Sequence, residues 1–233
     1  VYGHLKTEPG VGKSGSQEHR LFAQVTPYQL HVKLGHYSTL VWVTDLATGV
    51  TAIAAGYYHV CAISTGGAVK CWGWNAYGNL GDGSNSNRPT PVAVSNLGSG
   101  VAAISVGAGH SCALLTLGGV KCWGRNLDGE LGDGTTTQQL TPVDVTGMTS
   151  GVSSISAGSG HTCAVTTSAG LKCWGRNDEG QIGNGGTQDR LTATDVTGLT
   201  SGVAQVSAGT NFTCALTTSG GVKCWGDNFS GSV

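Results

Sequence analysis

The eight cysteines of this chain fall on a ruler. Cys61, Cys112, Cys163 and Cys214 are 51 residues apart, as are Cys71, Cys122, Cys173 and Cys224, and 10 residues separate the members of each pair. A constant period of this length makes residues 43–233 a tandem array, with units over 50–100, 101–151, 152–202 and 203–233. Residues 1–42 lie outside the period: they hold four of the seven histidines and none of the cysteines. They are expected to be a disordered or degenerate N-terminal segment. Val43 to Val50, VTDLATGV, already resembles the end of a unit.

The array is glycine-rich and charge-poor, with 40 glycines and 11% charged residues. That balance is the opposite of what disorder needs, and the glycines recur at fixed places, as turns do. The formal net charge is −1 and no basic stretch exceeds two residues, which excludes nucleic-acid binding through a basic face. No apolar run approaches the ~20 residues of a bilayer span. The N-terminus has neither a signal-peptide pattern nor an initiator Met, so a fragment or processed product is expected.

Within the second unit, Val101 to Val106, His110 to Leu115 and Val120 to Trp123 read as three strands punctuated by glycines, with a short fourth around Val143 to Val145. No window sustains a helical period. Three or four short strands in each repeat of this length predict an all-β fold, a β-propeller with one unit per blade. The first strand of each unit is expected nearest the axis. One blade alone is marginal, because each of its faces needs a neighbour.

The strings HSCALLTLGGVKCWGRNLDGELGDGTT and HTCAVTTSAGLKCWGRNDEGQIGNGGT resemble the repeat of the regulator of chromosome condensation family. The resemblance covers three near-complete units and a shorter fourth. It implies a seven-bladed propeller, which at this period needs about 357 residues. The chain is therefore expected to be a fragment with about four blades, a closed four-blade ring being the alternative. The resemblance also implies guanine-nucleotide exchange on a small GTPase as one possible activity, although no insertion interrupts the period here.

In a hairpin centred on Gly66, Cys61 faces Cys71 across neighbouring strands; the same holds for Cys112 with Cys122, Cys163 with Cys173 and Cys214 with Cys224. Directly opposed residues are close enough for a disulfide, which predicts one bridge per unit and an extracellular or cell-surface setting. Two other readings stand beside it. The cysteines are also suited to serve reduced, as small buried hydrophobes. With His59, His110 and His161 each two residues before a cysteine, they also make three zinc-type ligands per unit, except that Phe212 breaks the fourth.

Other motifs carry less chemistry. Gly10-Val11-Gly12-Lys13-Ser14 resembles part of a phosphate-binding loop, but Thr7 stands where its first glycine belongs. The repeated histidines have no nucleophile partner and are expected to hydrogen-bond a turn carbonyl. Gly81-Asp82-Gly83 and Gly132-Asp133-Gly134 read as turns, and Asn184 takes the place of the aspartate in the third unit. Trp72, Trp123, Trp174 and Trp225 follow the second cysteine each time and are expected in the core or between blades. Asn211-Phe212-Thr213 and Asn228-Phe229-Ser230 match the glycosylation sequon.

No catalytic, cofactor or metal site is predicted. The expected function is a non-enzymatic scaffold that recognises a protein or glycan through loops on one rim; enzyme inhibition or carbohydrate binding is a further alternative. The residues expected to carry recognition are Ser84, Asn85, Arg88, Thr136, Gln138, Gln139, Gln188, Asp189 and Arg190, which vary between units on an otherwise regular support.

Overall fold

The computed structural model describes residues 31–33, 40–42, 49–229 and 231. Every regular element among them is a strand. β1 (His31–Lys33) and β2 (Leu40–Trp42) pair antiparallel as a sheet of their own. The first unit then gives β3 (Val50–Ala55), β4 (His59–Ser64), β5 (Val69–Gly73) and β6 (Arg88–Ala93). The second gives β7 (Val101–Val106), β8 (His110–Leu115), β9 (Val120–Gly124) and β10 (Gln139–Asp144). The third gives β11 (Val152–Ala157), β12 (His161–Thr166), β13 (Leu171–Gly175) and β14 (Arg190–Asp195), and the fourth β15 (Val203–Ala208), β16 (Phe212–Thr217) and β17 (Val222–Gly226). Each unit is one antiparallel sheet with its strands in chain order, with four strands in three of the blades and three in the last among the described residues. Val43–Thr48, which resembles the end of a unit, and the Gly10–Ser14 motif lie outside the described residues.

The fourth strand begins earlier than the sequence suggests. Val143 to Val145 carries the apolar signal, yet β10 starts at Gln139, and its pairing with β9 slips between Gln139 and Val143. This irregularity hides the strand from an alternation test. The first strands are innermost: Ala55–Tyr57, Val106–Ala108, Ala157–Ser159 and Ala208–Thr210, each a strand end and its turn, surround one axial cavity of about 260 Å³.

Register explains the cysteines. Cys61 pairs with Cys71 between β4 and β5, His59 with Gly73 and Ile63 with Val69, and the other units repeat the pattern. Disulfides join Cys61–Cys71, Cys112–Cys122, Cys163–Cys173 and Cys214–Cys224, each with Cα atoms 4.1 Å apart. With every cysteine bridged, the reduced and zinc-type readings do not hold. Among the described residues, no group of three or more His, Cys, Asp or Glu side chains is placed to hold a metal ion.

Successive residues of a strand point to opposite faces, so Cys71 and Trp72 look in opposite directions along β5. The disulfide of one blade consequently lies against the next blade, and the tryptophan against the previous one. Three apolar cores result, one per interface. In the first, Cys61, Cys71, Leu80 and Val94 of blade one meet Val106 and Trp123 of blade two. The second and third repeat it with Trp174 and Trp225. Close stacking also constrains the turn glycines: a Cβ at Gly56, Gly107 or Gly158 would overlap the carbonyl oxygen of the equivalent glycine in the next blade.

The fourth disulfide differs because no blade covers it among the described residues. Cys214 and Cys224 are half-buried, whereas the six other cysteines are fully buried. Closing such an ~11-residue loop stabilises by about 2–3 kcal/mol in the chain-entropy model. Under native conditions with graded dithiothreitol, Cys214–Cys224 is expected to reduce first, read by alkylation and peptide mapping. The double variant Cys112→Ser/Cys122→Ser is expected to lose about 2–3 kcal/mol or more in urea unfolding, and Cys214→Ser/Cys224→Ser less. Equal reactivity of all four bridges contradicts this packing.

Candidate functional site: the loop-bearing rim

Two kinds of connection emerge at the same end of the first three blades: the tight turn from first to second strand and the long loop from third to fourth. The long loop is not a loose lid. In blade one the buried Asn75 accepts from the Leu80 amide at 2.9 Å through Oδ1, and its Nδ2 donates to the carbonyls of Ser84 and Ser86, both at 3.0 Å. Asn126 and Asn177 tie the second and third loops in the same way. Asp82 and Asp133 accept from the amide and hydroxyl two residues on, so the Gly-Asp-Gly segments are local turns.

This wiring divides the nine loop residues singled out in the sequence. Ser84 and Arg88 are engaged inside their own loop, Arg88 bridging Asp82 at 2.8 Å. Gln139 donates to Asp133 at 3.4 Å, Asp189 accepts from the Asn177 amide at 2.8 Å, and Arg190 is half-buried. Asn85, Thr136, Gln138 and Gln188 present exposed side chains. Variation between units therefore mixes residues tied inside their own loop with residues open to solvent.

Beneath the rim, the histidines join blades. His59 Nε2 meets the Ser111 hydroxyl of blade two at 2.8 Å, and that hydroxyl donates back to the Asn79 carbonyl of blade one at 3.0 Å. Trp123 Nε1 donates to the same carbonyl at 2.9 Å. The second interface repeats this with His110, Thr162, Glu130 and Trp174, and the third with His161, Thr213, Gln181 and Trp225. The expectation of a histidine bonded to a turn carbonyl is thus corrected: the carbonyl is reached through the neighbour's hydroxyl. Because that hydroxyl spends its proton on the carbonyl, the imidazole Nε2 is the donor. Burial lowers the pKa to about 3 for His59 and His110 and about 4 for His161, so the rings stay neutral. Phe212 of unit four and Val60 of unit one stand at the histidine and hydroxyl positions, so neither can take part in such a relay. Thr213, the third residue of one sequon, is fully buried in this relay.

Blade one carries a feature that loop variability alone misses. Tyr57, Tyr58, Trp74 and Tyr77 form a run of edge-on rings with centroids 6.2, 5.7 and 5.2 Å apart. Their placement follows from the backbone. The Trp74 amide donates to the Tyr58 carbonyl at 2.9 Å, extending the β4–β5 ladder, and Tyr77 sits in the turn closed by the Gly78 amide on the Asn75 carbonyl. Gly73, at φ 113°, permits the approach, since a Cβ there would stand 2.5 Å from the Tyr58 oxygen. Tyr57 and Tyr58 are 54% and 60% exposed, which is unusual for such large apolar bodies. Tyr57 Oη also meets Thr210 Oγ1 of blade four at 3.0 Å beside the axial cavity.

The equivalent positions are Ala108, Gly109, Arg125 and Asp128 in unit two, and Ser159, Gly160, Arg176 and Glu179 in unit three. Comparing units position by position would have exposed this substitution by aromatics. Around the rim, Arg125 pairs with Asp128 at 2.8 Å and with the buried Glu130, and Arg176 with Asp178. Leu127 and Phe229 are further exposed apolar residues on the same loops, at 56% and 96%.

Two models of the regulator of chromosome condensation (RCC1) repeat match the chain. One covers residues 50–79, 101–130, 152–181 and 203–232; the other covers 67–114, 118–165 and 173–216. The ultraviolet-B receptor UVR8 of Arabidopsis thaliana is 33% identical over 181 residues, 76% of this chain and 41% of that protein. The probable E3 ubiquitin-protein ligase HERC4 of Mus musculus is 32% identical over 176 residues, 74% of this chain and 17% of the relative. The chain therefore spans less than half the length of either. A crystal structure of Kap60 bound to yeast RCC1 (Prp20) has the same fold, with a TM-score of 0.71 at 20% identity, over 82% of this chain and 46% of that one.

The relay dictates a pH response. An unfolded imidazole protonates below about pH 6.5, whereas the folded rings resist until about pH 3–4. Between these limits the unfolded chain binds more protons, so stability falls as pH is lowered, at about 1.4 kcal/mol per pH unit for each ring. Urea unfolding from pH 7 to 4 is expected to show this slope, and His161→Phe to reduce it by one proton. Thr162→Val, which leaves the His110 donor unanswered, is expected to cost about 1–3 kcal/mol.

Proposed function

The chain belongs to the regulator of chromosome condensation (RCC1) repeat family, and on that premise we propose that it is a non-enzymatic recognition scaffold that binds a protein through the loop-bearing rim. The carrying observation is the exposed aromatic run Tyr57–Tyr58–Trp74–Tyr77, present in one unit only. Tyrosine and tryptophan dominate the energetics of protein interfaces, because they bring large area at small cost in side-chain freedom. The disulfides and the Asn75-type ties hold these rings on a rigid support.

The comparisons support the same reading. The repeat array is common to a receptor and to a ligase of which it matches only 17%, as expected of a recognition part rather than of either protein's chemistry. Prp20 is itself seen bound to a protein, Kap60. The hydroxyls beside the buried histidines, Ser111, Thr162 and Thr213, are themselves fully buried and donate to backbone carbonyls, so these pairs serve the blade interfaces. Four disulfides favour action in an oxidising, extracytoplasmic setting.

Immobilised protein is expected to retain a protein partner from extracellular fluid of its source. The variant Tyr58→Ala/Trp74→Ala is expected to lose that partner, at unchanged melting temperature. Leu117→Ala, which trims an 87% exposed residue at the opposite end of blade two, is expected to retain it. Loss on Leu117→Ala with retention on the aromatic variant moves the binding surface to the other end.

A further inference from the structure

We propose that the aromatic rim takes a basic segment of its partner, an arginine- or lysine-bearing stretch whose cations lie on the faces of Tyr58 and Trp74. This rests on the rim reading above and adds the chemistry of the occupant. Three observations carry it.

First, the rings contact one another edge to face, with interplanar angles of 84°, 62° and 86°. An edge-on contact spends the positive rim of one ring on the negative face of its neighbour. Tyr58 nevertheless stays 60% exposed and Trp74 half-buried, so aromatic surface stays open to a ligand. Cations are attracted to such faces, tryptophan most strongly, and guanidinium more often than ammonium.

Second, the rim charges that lie outside salt bridges are mostly of one sign. Arg88, Arg125 and Arg176 are each held by carboxylates of their own loop, Arg125 by two. Asp133, Glu179 and Asp227, on the same rim, enter no salt bridge among the described residues. Asp189 and Arg190 on the same rim also enter no salt bridge among the described residues, which leaves four carboxylates against one guanidinium. The opposite end of the blades has the other polarity: among the described residues Lys70 and Lys223 enter no salt bridge there, and Lys121 and Lys172 are paired with Asp144 and Asp195. The rim of blades two to four therefore carries an excess of carboxylates on the same end of the blades as the aromatic patch of blade one. It steers basic chains toward itself and repels a second copy of the same rim.

Third, the patch is asymmetric around the axis. Tyr57 reaches Thr210 of blade four, whose loop brings Asp227 and the 96% exposed Phe229. An extended segment crossing the axial mouth from blade one to blade four meets aromatic faces first and a carboxylate afterwards. Arginine or lysine residues spaced along one chain fit that order. A neutral glycan fits the rings but not the charge.

The test uses the whole chain and three fluorescein-labelled decapeptides, alternating Gly-Arg, Gly-Lys and Gly-Glu, read by anisotropy at 20 and 150 mM salt. The Gly-Arg peptide is expected to bind several-fold tighter than Gly-Lys, and Gly-Glu not to bind. Trp74→Ala or Tyr58→Ala is expected to weaken Gly-Arg binding about fivefold or more. Trp74→Phe, which keeps a ring, is expected to restore most of it, separating a ring-face role from simple loss of fold. Glu179→Gln/Asp227→Asn is expected to flatten the salt dependence while leaving the Arg-over-Lys preference. Equal binding of all three peptides, or Gly-Arg binding indifferent to Trp74→Ala, overturns the proposal. So does a rim-dependent dimer in sedimentation, which makes the occupant a second copy. If a partner captured through the rim proves acidic or a glycan, the basic-segment assignment fails while rim recognition stands. If capture ignores the rim altogether, the functional reading fails first.

Discussion

The third strand of each unit holds two neighbouring residues that face opposite ways, a cysteine toward the next blade and a tryptophan toward the previous one. The rest of the molecule depends on this alternation. A four-stranded antiparallel sheet has two apolar faces and cannot bury either alone. The disulfide flattens one face by replacing two side chains with a compact bridge, and the neighbour's indole covers it from the other side. Trp123 and Trp174 are fully buried in this role, and each replaces water at its indole nitrogen with a turn carbonyl of the preceding blade. Truncating a buried tryptophan typically costs about 3–5 kcal/mol, so such contacts outweigh any single surface ion pair here.

The hydroxyl relay adds direction to that packing. Apolar faces stack in many orientations, but a neutral imidazole, a hydroxyl and a carbonyl must meet in sequence or leave a buried donor unanswered. Blades two and three each give a histidine forward and a hydroxyl backward, so the order of the blades is encoded in polar groups as well as in covalent order. Unit four gives no histidine forward and unit one no hydroxyl backward. The contact between Tyr57 and Thr210 across the cavity is therefore a rim contact and not a fourth copy of the blade interface.

The period of the cysteines made strand number, hairpin register and disulfide pairing legible, because all three are consequences of one repeated spacing. The position of β8 could be read to the residue from its apolar run after Gly109. β10 was harder, since the irregular pairing near Gln139 removes the alternation that marks a strand. The histidine partners were invisible for a different reason. They lie 52 residues away, in the next unit, and nothing local distinguishes Ser111, Thr162 or Thr213 from any other strand hydroxyl. The loops were found as variable stretches, but variability does not separate Arg88, held by Asp82, from Asn85, which is open to solvent.

The aromatic run shows what a repeat array conceals. Along the array, conserved spacing draws the eye to what recurs, whereas a binding surface is built from what does not. The residue after each Trp-Gly pair is Trp74, Arg125, Arg176 or Asp227, so the scaffold accepts an aromatic ring, a cation or an anion there without changing the strand beneath. A position so tolerant is free to follow the ligand. Blade one uses it, together with its neighbours in the first turn, for aromatic rings half open to water, a placement that folding alone does not reward. In the proposed reading a partner covers these rings, and the rim carboxylates that lie outside salt bridges set the sign of its charge.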